Sequence, residues 1–266
     1  MSSVYTAGAR PVVLKERILR HVLVIVALLL GAELLWLFGI RPCMPFSRLE
    51  IHGIPNLDDS FVLAAAGIGK HSSFMTVNRK TAEAALSSLP VVKSARVLKR
   101  FPSGLEIVLE PRRAAAIVFV ENGGRFKPAL IDGNGTVFSI DGEGYGKTAL
   151  PVVSGLELHK AFPGMKLSRV YGRIFRQLER IADESPELLS AVSEIRINRK
   201  DYDGFDLTVF PAHTPIKVRM GQELTAETIK YMLLMLDVLS VRAEEIEEID
   251  FRTGTASYTI KEAHSG

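Results

Sequence analysis

Nineteen consecutive residues, Val22 to Ile40, read VLVIVALLLGAELLWLFGI and carry one charge, Glu33. As a helix this run would be about 29 Å long, the thickness of a bilayer's hydrocarbon core. The competing reading is a cleaved signal peptide, with an apolar stretch of about 7–15 residues and then a small-x-small cleavage site. This run is longer and leads into Arg41-Pro42-Cys43-Met44-Pro45, which offers no such site, so a retained anchor is expected. Arg10, Lys15, Arg17 and Arg20 precede the run, against Arg41 and Arg48 after it. That bias puts residues 1–21 in the cytoplasm and the rest of the chain outside. Trp36, near the outer end, suits an interfacial aromatic. Glu33 has two readings. It tolerates partial burial by snorkelling or protonation, or it makes an intramembrane contact with a partner helix.

Composition narrows the remainder. Among 266 residues there is one cysteine, which excludes an internal disulfide framework and a Cys-cluster metal site. The six histidines fall at His21, His52, His71, His159, His213 and His264, without metal-ligand spacing. Residues 46–116 hold 10 basic and 6 acidic side chains, and residues 117–266 hold 18 and 22. Neither part has the basic footprint of a nucleic-acid binder.

A proline-marked joint, residues 41–45, precedes a strand pattern over Phe46–Gly53 with Leu49 and Ile51 on one side. Asp58-Asp59-Ser60 offers N-caps for a short helix over Phe61–Ala66, and Asn78 caps a second over Arg79–Ser88. Strands over Val91–Lys99 and Leu105–Glu110 flank the turn Phe101-Pro102-Ser103-Gly104 as a hairpin. From Ile117 the chain is β-rich. Phe126–Ile131 and Thr136–Ile140 flank Asp132-Gly133-Asn134-Gly135, a hairpin signal. An amphipathic helix is expected over Ser168–Glu184, with Val170, Ile174, Leu178 and Ile181 inward. A second is expected over Thr225–Val241, with Ile229, Met232, Leu233, Leu236 and Leu239 inward. Strands are expected at Glu194–Asn198, Phe205–Phe210, Ile216–Met220, Glu248–Arg252 and Ala256–Lys261.

The stretch Leu89-Pro90-Val91-Val92, Ala95-Arg96-Val97, Arg100-Phe101-Pro102 and Leu105-Glu106-Ile107 resembles a POTRA domain of the FtsQ/DivIB cell-division type. Two departures stand out: Val91 sits where an aromatic is common, and Glu110-Pro111-Arg112-Arg113 replaces the family's usual Glu-Arg-x-Pro. The later part resembles the same family at Ile131-Asp132-Gly133-Asn134-Gly135, Leu150-Pro151 with Gly155, Val218 with Gly221, and Ile249-Asp250-Phe251-Arg252. The resemblance implies an α+β chain: one transmembrane helix (22–40), a joint (41–45), a β-α-α-β-β POTRA domain (46–116), then a mixed β-sheet domain with two long helices (117–262) and a short tail (263–266).

Catalytic signals are weak. Gly142-Glu143-Gly144-Tyr145-Gly146-Lys147-Thr148 looks like a phosphate loop, but the Walker spacing requires glycine at 141, which is Asp, and Pro151 follows too soon for a helix. Ser-x-x-Lys, Gly-x-Ser-x-Gly and His-Glu-x-x-His do not occur. The acids Glu244, Glu245, Glu247 and Glu248 read as a solvated face leading into a strand, with a cation site or partner-facing patch as the alternative. No cofactor and no metal is expected.

The resemblance implies a non-catalytic scaffold of the division septum, in the inner membrane, joined to other septal proteins through its POTRA domain. It further implies that the last strand, if at a sheet edge, accepts a membrane division protein of the FtsB/DivIC type, which pairs with an FtsL-like protein. Phe251, Arg252, Ser257, Tyr258 and Thr259 are the expected contributors; the alternative is a strand already covered. A second reading is a POTRA-bearing periplasmic chaperone or secretion accessory, though the alternating segments of a following outer-membrane barrel are not present. A third is a membrane-anchored cell-wall hydrolase.

Overall fold

The computed structural model describes residues 12–55, 57–141, 150–156, 158, 160–201, 204–240, 245–253 and 256–260. The phosphate-loop-like segment 142–148 lies outside them, as does Glu244 of the acidic run. The apolar run lies in helix α1 (Val12–Leu35), which passes into a π-helical stretch, Trp36–Ile40, and a 3₁₀ turn, Arg41–Cys43. Helical structure spans Glu16–Cys43, 28 residues containing an 18-residue window of mean hydropathy 2.5, long and apolar enough to cross a membrane. The remaining contacts divide the chain into two compact units. One holds residues 1–87 and 94–110, the other residues 88–93 and 111–266.

The first unit contains β1 (Arg48–His52), α2 (Asp59–Ala65), α3 (Arg79–Ser87) and most of β2 (Val92–Arg100) and β3 (Gly104–Pro111). The strands pair in the order β1-β3-β2, with β1 parallel to β3. Both helices begin where the side chains predict. Asp58 accepts the Ser60 amide, and Asn78 Oδ1 accepts the Lys80 amide at 3.1 Å, so each start gains a partner for an orphan N–H. Gly53 closes β1 at φ +121°, where a Cβ would stand 1.7 Å from the Leu109 carbonyl oxygen. Only glycine allows the two strands to run that close. Val62, Ala82, Leu86, Val97, Leu105 and Ile107 form the core.

The second unit is built on a nine-stranded mixed sheet. Its strands are β4 (Ala116–Asn122), β5 (Arg125–Ile131), β6 (Val137–Ile140), β7 (Val152–Ser154), β8 (Val192–Arg199), β9 (Phe205–Pro211), β10 (Lys217–Met220), β11 (Ile246–Asp250) and β12 (Ser257–Ile260). Their order is β12-β11-β10-β9-β8-β7-β4-β5-β6. The pairings align one residue from every strand: Ile140, Ala129, Val118, Val153, Ile195, Val209, Val218, Ile249 and Tyr258. Every inner member of that row is buried; the two end members are not. The neighbouring register line, Ser154, Arg196, Thr208, Arg219, Asp250 and Ser257, is polar. Period-two alternation therefore gives the sheet one apolar and one polar face. The apolar face belongs to the core that also takes in α4 (Gly172–Glu184), α5 (Pro186–Ser190) and α6 (Ala226–Leu239).

Several local results differ from the sequence expectation. The helix expected from Ser168 starts only at Gly172, because Ser168 to Tyr171 close a turn first, with the Tyr171 amide on the Ser168 carbonyl at 3.0 Å. Val170 therefore lies outside the helix, 36% exposed, while Ile174, Leu178 and Ile181 are buried as expected. Pro186 opens α5 directly after α4, a helix not expected from the sequence. The strand expected to run through Arg252 ends at Asp250.

Candidate functional site: an uncovered sheet edge

The last strand, β12, pairs antiparallel with β11 and, among the described residues, has no strand on its other side. Register sets Tyr258 opposite Ile249, Thr259 opposite Glu248 and Ser257 opposite Asp250. Antiparallel partners share a face, so Tyr258 extends the apolar row one position beyond the buried sheet. All four β12 residues are exposed; Tyr258 is 55% and Ile260 56% accessible. The strand contains no proline, lysine or other charge that would blunt an edge.

The five expected contributors divide between two places. Ser257, Tyr258 and Thr259 lie together on the edge strand. Phe251 and Arg252 sit at the end of β11 and face other tasks. The Phe251 amide donates to the Arg219 carbonyl at 2.8 Å, and its ring meets Tyr231 of α6 edge-on at 5.6 Å between centroids. Phe251 and Tyr231 line a shallow pocket of about 300 Å³ with Met220, Gly221, Glu223, Thr225, Glu227 and Thr228. Tyr231 was not singled out from the sequence; its position opposite the inward residues of α6 reads simply as a surface side chain.

Arg252 is held by two carboxylates. Its Nε donates to Asp250 at 3.0 Å, its Nη2 at 2.6 Å, and its Nη1 reaches Asp206 at 3.3 Å. Asp206 is almost fully buried and also meets Lys200 at 3.0 Å and Arg219 at 3.7 Å. Burial by itself pushes the Asp206 carboxyl upward, but the hydrogen bond and charge of Lys200, joined by Arg252, leave it below the usual carboxylate value. The Asp250 carboxyl is also lowered, chiefly by its hydrogen bonds from Arg252, and Arg252 is raised in return. This cluster ties β9, β10 and the end of β11 together on the polar face. No sequence signal marks it, since Asp206 and Arg252 stand far apart along the chain.

The two acids of the run that fall inside β11 are paired. Glu247 lies 3.9 Å from Lys217 and Glu248 lies 3.5 Å from Arg219. Among the described residues no group of three His, Cys, Asp or Glu side chains is arranged to hold a metal ion. Glu33 lies on the exposed surface of α1.

Comparison with protein-family models matches residues 44–112 to the POTRA domain, FtsQ-type, and residues 116–252 to the cell division protein FtsQ/DivIB C-terminal domain. The edge strand β12 falls just beyond the second match. Among curated proteins, the chain is 26% identical over 233 residues to the cell division protein FtsQ of Anaeromyxobacter sp. (strain K), covering 86% of this chain and 75% of that one. It is 22% identical over 217 residues to the cell division protein DivIB of Solibacillus silvestris (strain StLB046), covering 80% and 68%. It is 31% identical over 147 residues to the cell division protein FtsQ of Neisseria gonorrhoeae, covering 53% and 55%. With two consecutive family domains in this order behind an apolar helix, the second alone spanning more than half of the chain, the protein belongs to the FtsQ/DivIB family of cell-division proteins.

Proposed function

We propose that the protein is a non-catalytic, single-pass scaffold of the bacterial division septum, and that β12 receives a strand from a partner membrane protein of the FtsB/DivIC type, itself paired with an FtsL-like protein. The observation that carries this reading is the uncovered edge. Among the described residues β12 has an unpaired flank, its four residues are exposed and uncharged, and it continues the core's apolar row through Tyr258. An added strand would take main-chain hydrogen bonds along that flank, and its apolar side chains would lie beside Tyr258 and Ile260. Phe251 and its pocket beside α6 would accept an apolar side chain from the segment flanking that strand, and Arg252 would hold the edge in place through Asp250. In this reading residues 1–21 are cytoplasmic, the two folded units are extracytoplasmic, and the POTRA unit meets other septal proteins. Glu33 would be satisfied by a neighbouring helix inside the membrane.

The test is capture of the FtsB/DivIC-like and FtsL-like pair by the full-length protein, beside Tyr258→Glu and Thr259→Pro. The first places a charge on the apolar row and the second removes a backbone donor. Recovery by the unaltered chain with loss in both variants is the expected result. Equal recovery by both variants would remove the edge from the interface.

A further inference from the structure

The outer end of the anchor is packed onto the POTRA unit through aromatic rings. Phe38, in the π-helical stretch, stacks on Phe101 with centroids 5.2 Å apart and planes 28° apart. Phe101 belongs to the turn between β2 and β3, and Phe74 meets it edge-on at 5.9 Å. Lys99 lies with its ammonium 5.2 Å over the Phe74 ring and donates to the Phe74 carbonyl at 2.6 Å. The same loop is tied to the chain just after the helix: Phe46 donates to the Ser72 carbonyl at 3.3 Å, and Pro45 bridges Ser73.

This cluster is not enclosed by protein. Phe38 is 63% exposed, Phe101 47%, Met44 42% and Met75 68%. Its depth follows from the helix. Phe38 sits three residues before Arg41, the first charge beyond the apolar run, so it lies about 5 Å below that charge. The headgroup layer on each side of a bilayer is about 5–7 Å thick. A ring in stacking contact with Phe38 therefore cannot stand clear of that layer.

We propose that the Phe101-Pro102 turn and the Phe74-Met75 loop form a lipid-binding surface seated in the interface of the bilayer that the anchor crosses. Phe101, Phe74 and Met75 lie at the acyl boundary, and the Lys99 and Arg41 charges reach lipid phosphates. The chemistry is that of interfacial residues generally, with apolar bodies toward the chains and cations toward the phosphates. Lipid is the occupant because the ring that Phe101 stacks on belongs to the membrane helix itself. The consequence is an anchor and POTRA unit that move as one body, with the strand-turn end of the sheet facing the membrane. The inference rests on the anchor reading of Glu16–Cys43.

The chain has a single tryptophan, Trp36, so the unaltered full-length protein reports anchor depth by its own fluorescence. Two further reporters are Phe101→Trp and Met75→Trp, each in a Trp36→Phe background. The full chains are placed in vesicles of phosphatidylethanolamine and phosphatidylglycerol. Quenching is measured with lipids bearing a nitroxide at the headgroup end of the acyl chain, and with aqueous iodide. The inference expects lipid quenching at positions 101 and 75 within about twofold of that at Trp36. Lipid quenching of Trp36 alone, with iodide quenching at 101 and 75, would overturn it and leave the anchor standing. Quenching of the two reporters by neither agent would place the turn against protein and overturn it as well. A Trp36 untouched by lipid quencher would remove the anchor reading, and this inference with it.

Discussion

The two edges of the nine-stranded sheet are handled in opposite ways. At the β6 edge, a segment after β7 runs alongside the strand. The Val137 amide donates to the Met165 carbonyl at 2.9 Å, the Gly164 amide to the Val137 carbonyl at 2.7 Å, and the Leu167 amide to the Gly135 carbonyl at 2.8 Å. Thr136 bridges Lys166, and Val137 is fully buried. At the β12 edge no described segment does this. An exposed row of backbone donors and acceptors invites pairing with other chains, and proteins normally blunt or cover it. Among the described residues one sheet thus carries both a closed edge and an open one, and the proposed strand addition at β12 rests on that contrast.

The contrast can be broken first at the closed side. Arg112 Nη1 pairs with Asp132, both nearly buried, and its Nε donates to the Pro90 carbonyl at 2.7 Å. The other Asp132 oxygen accepts the Asn134 and Thr136 amides at 3.0 and 2.8 Å, which shapes the turn into β6. Arg112→Ala leaves a buried carboxylate without its cation, so a loss of about 3–5 kcal/mol is expected in urea unfolding. A loss under about 1 kcal/mol would show that the closed edge does not depend on this pair.

The next effect in size comes from the row itself. Ile249 is fully buried and is the last inner member before Tyr258. Ile249→Ala should cost about 2–4 kcal/mol through lost burial and the cavity left behind. It should also weaken partner capture, since β12 pairs with the strand that carries it.

Much of this was legible from local signals. The caps at Asp58 and Asn78, the Asp132-Gly133-Asn134-Gly135 hairpin and the inward faces of α4 and α6 are encoded within a few residues, where propensity and periodicity act. Thr225 and Thr228 form a reciprocal cap. What was not legible is set by distant pairing. The expectation placed no strand over Ala116–Asn122, whose apolar run does not alternate cleanly because much of it is buried. The place of β12 at the edge depends on β11 adding parallel to β10 after α6, which no short window reveals. The Asp206 cluster is similar: its cations come from three separate segments. Phe251 and Arg252 are expected as edge contributors, but that one lines a pocket with Tyr231 and the other is tied to Asp250 and Asp206 is set only in three dimensions.

Acid should act on the open side through that cluster. Asp206 and Asp250 both hold their protons less tightly when folded than the ordinary value of 3.8. The unfolded chain then binds more protons than the folded one in the window from that value downward, so stability rises with pH there. The contribution is fully present above about pH 5 and is lost as pH falls through 3.8 toward the folded values. Urea unfolding at a series of pH values should show this slope, and Asp250→Asn should flatten it. An unchanged slope in that variant would assign the acid sensitivity to other carboxylates.

The smallest expected stability change is at the open edge itself, and it is the sharpest test of the comparison. Tyr258 lies in register with Ile249 yet is more than half exposed, and Ile260 is equally so. If β12 is uncovered in the isolated chain, Tyr258→Glu gives up little burial and breaks no ladder bond. Its effect on unfolding should stay within about 0.5 kcal/mol, as for surface positions generally. A charge at Val137, the buried residue of the opposite edge, should cost several times more, because that side chain has no water to reach. A loss above about 2 kcal/mol for Tyr258→Glu would mean that β12 is already covered in the free protein. The two edges would then be alike, and a partner strand would have to displace whatever lies on β12 before it could pair.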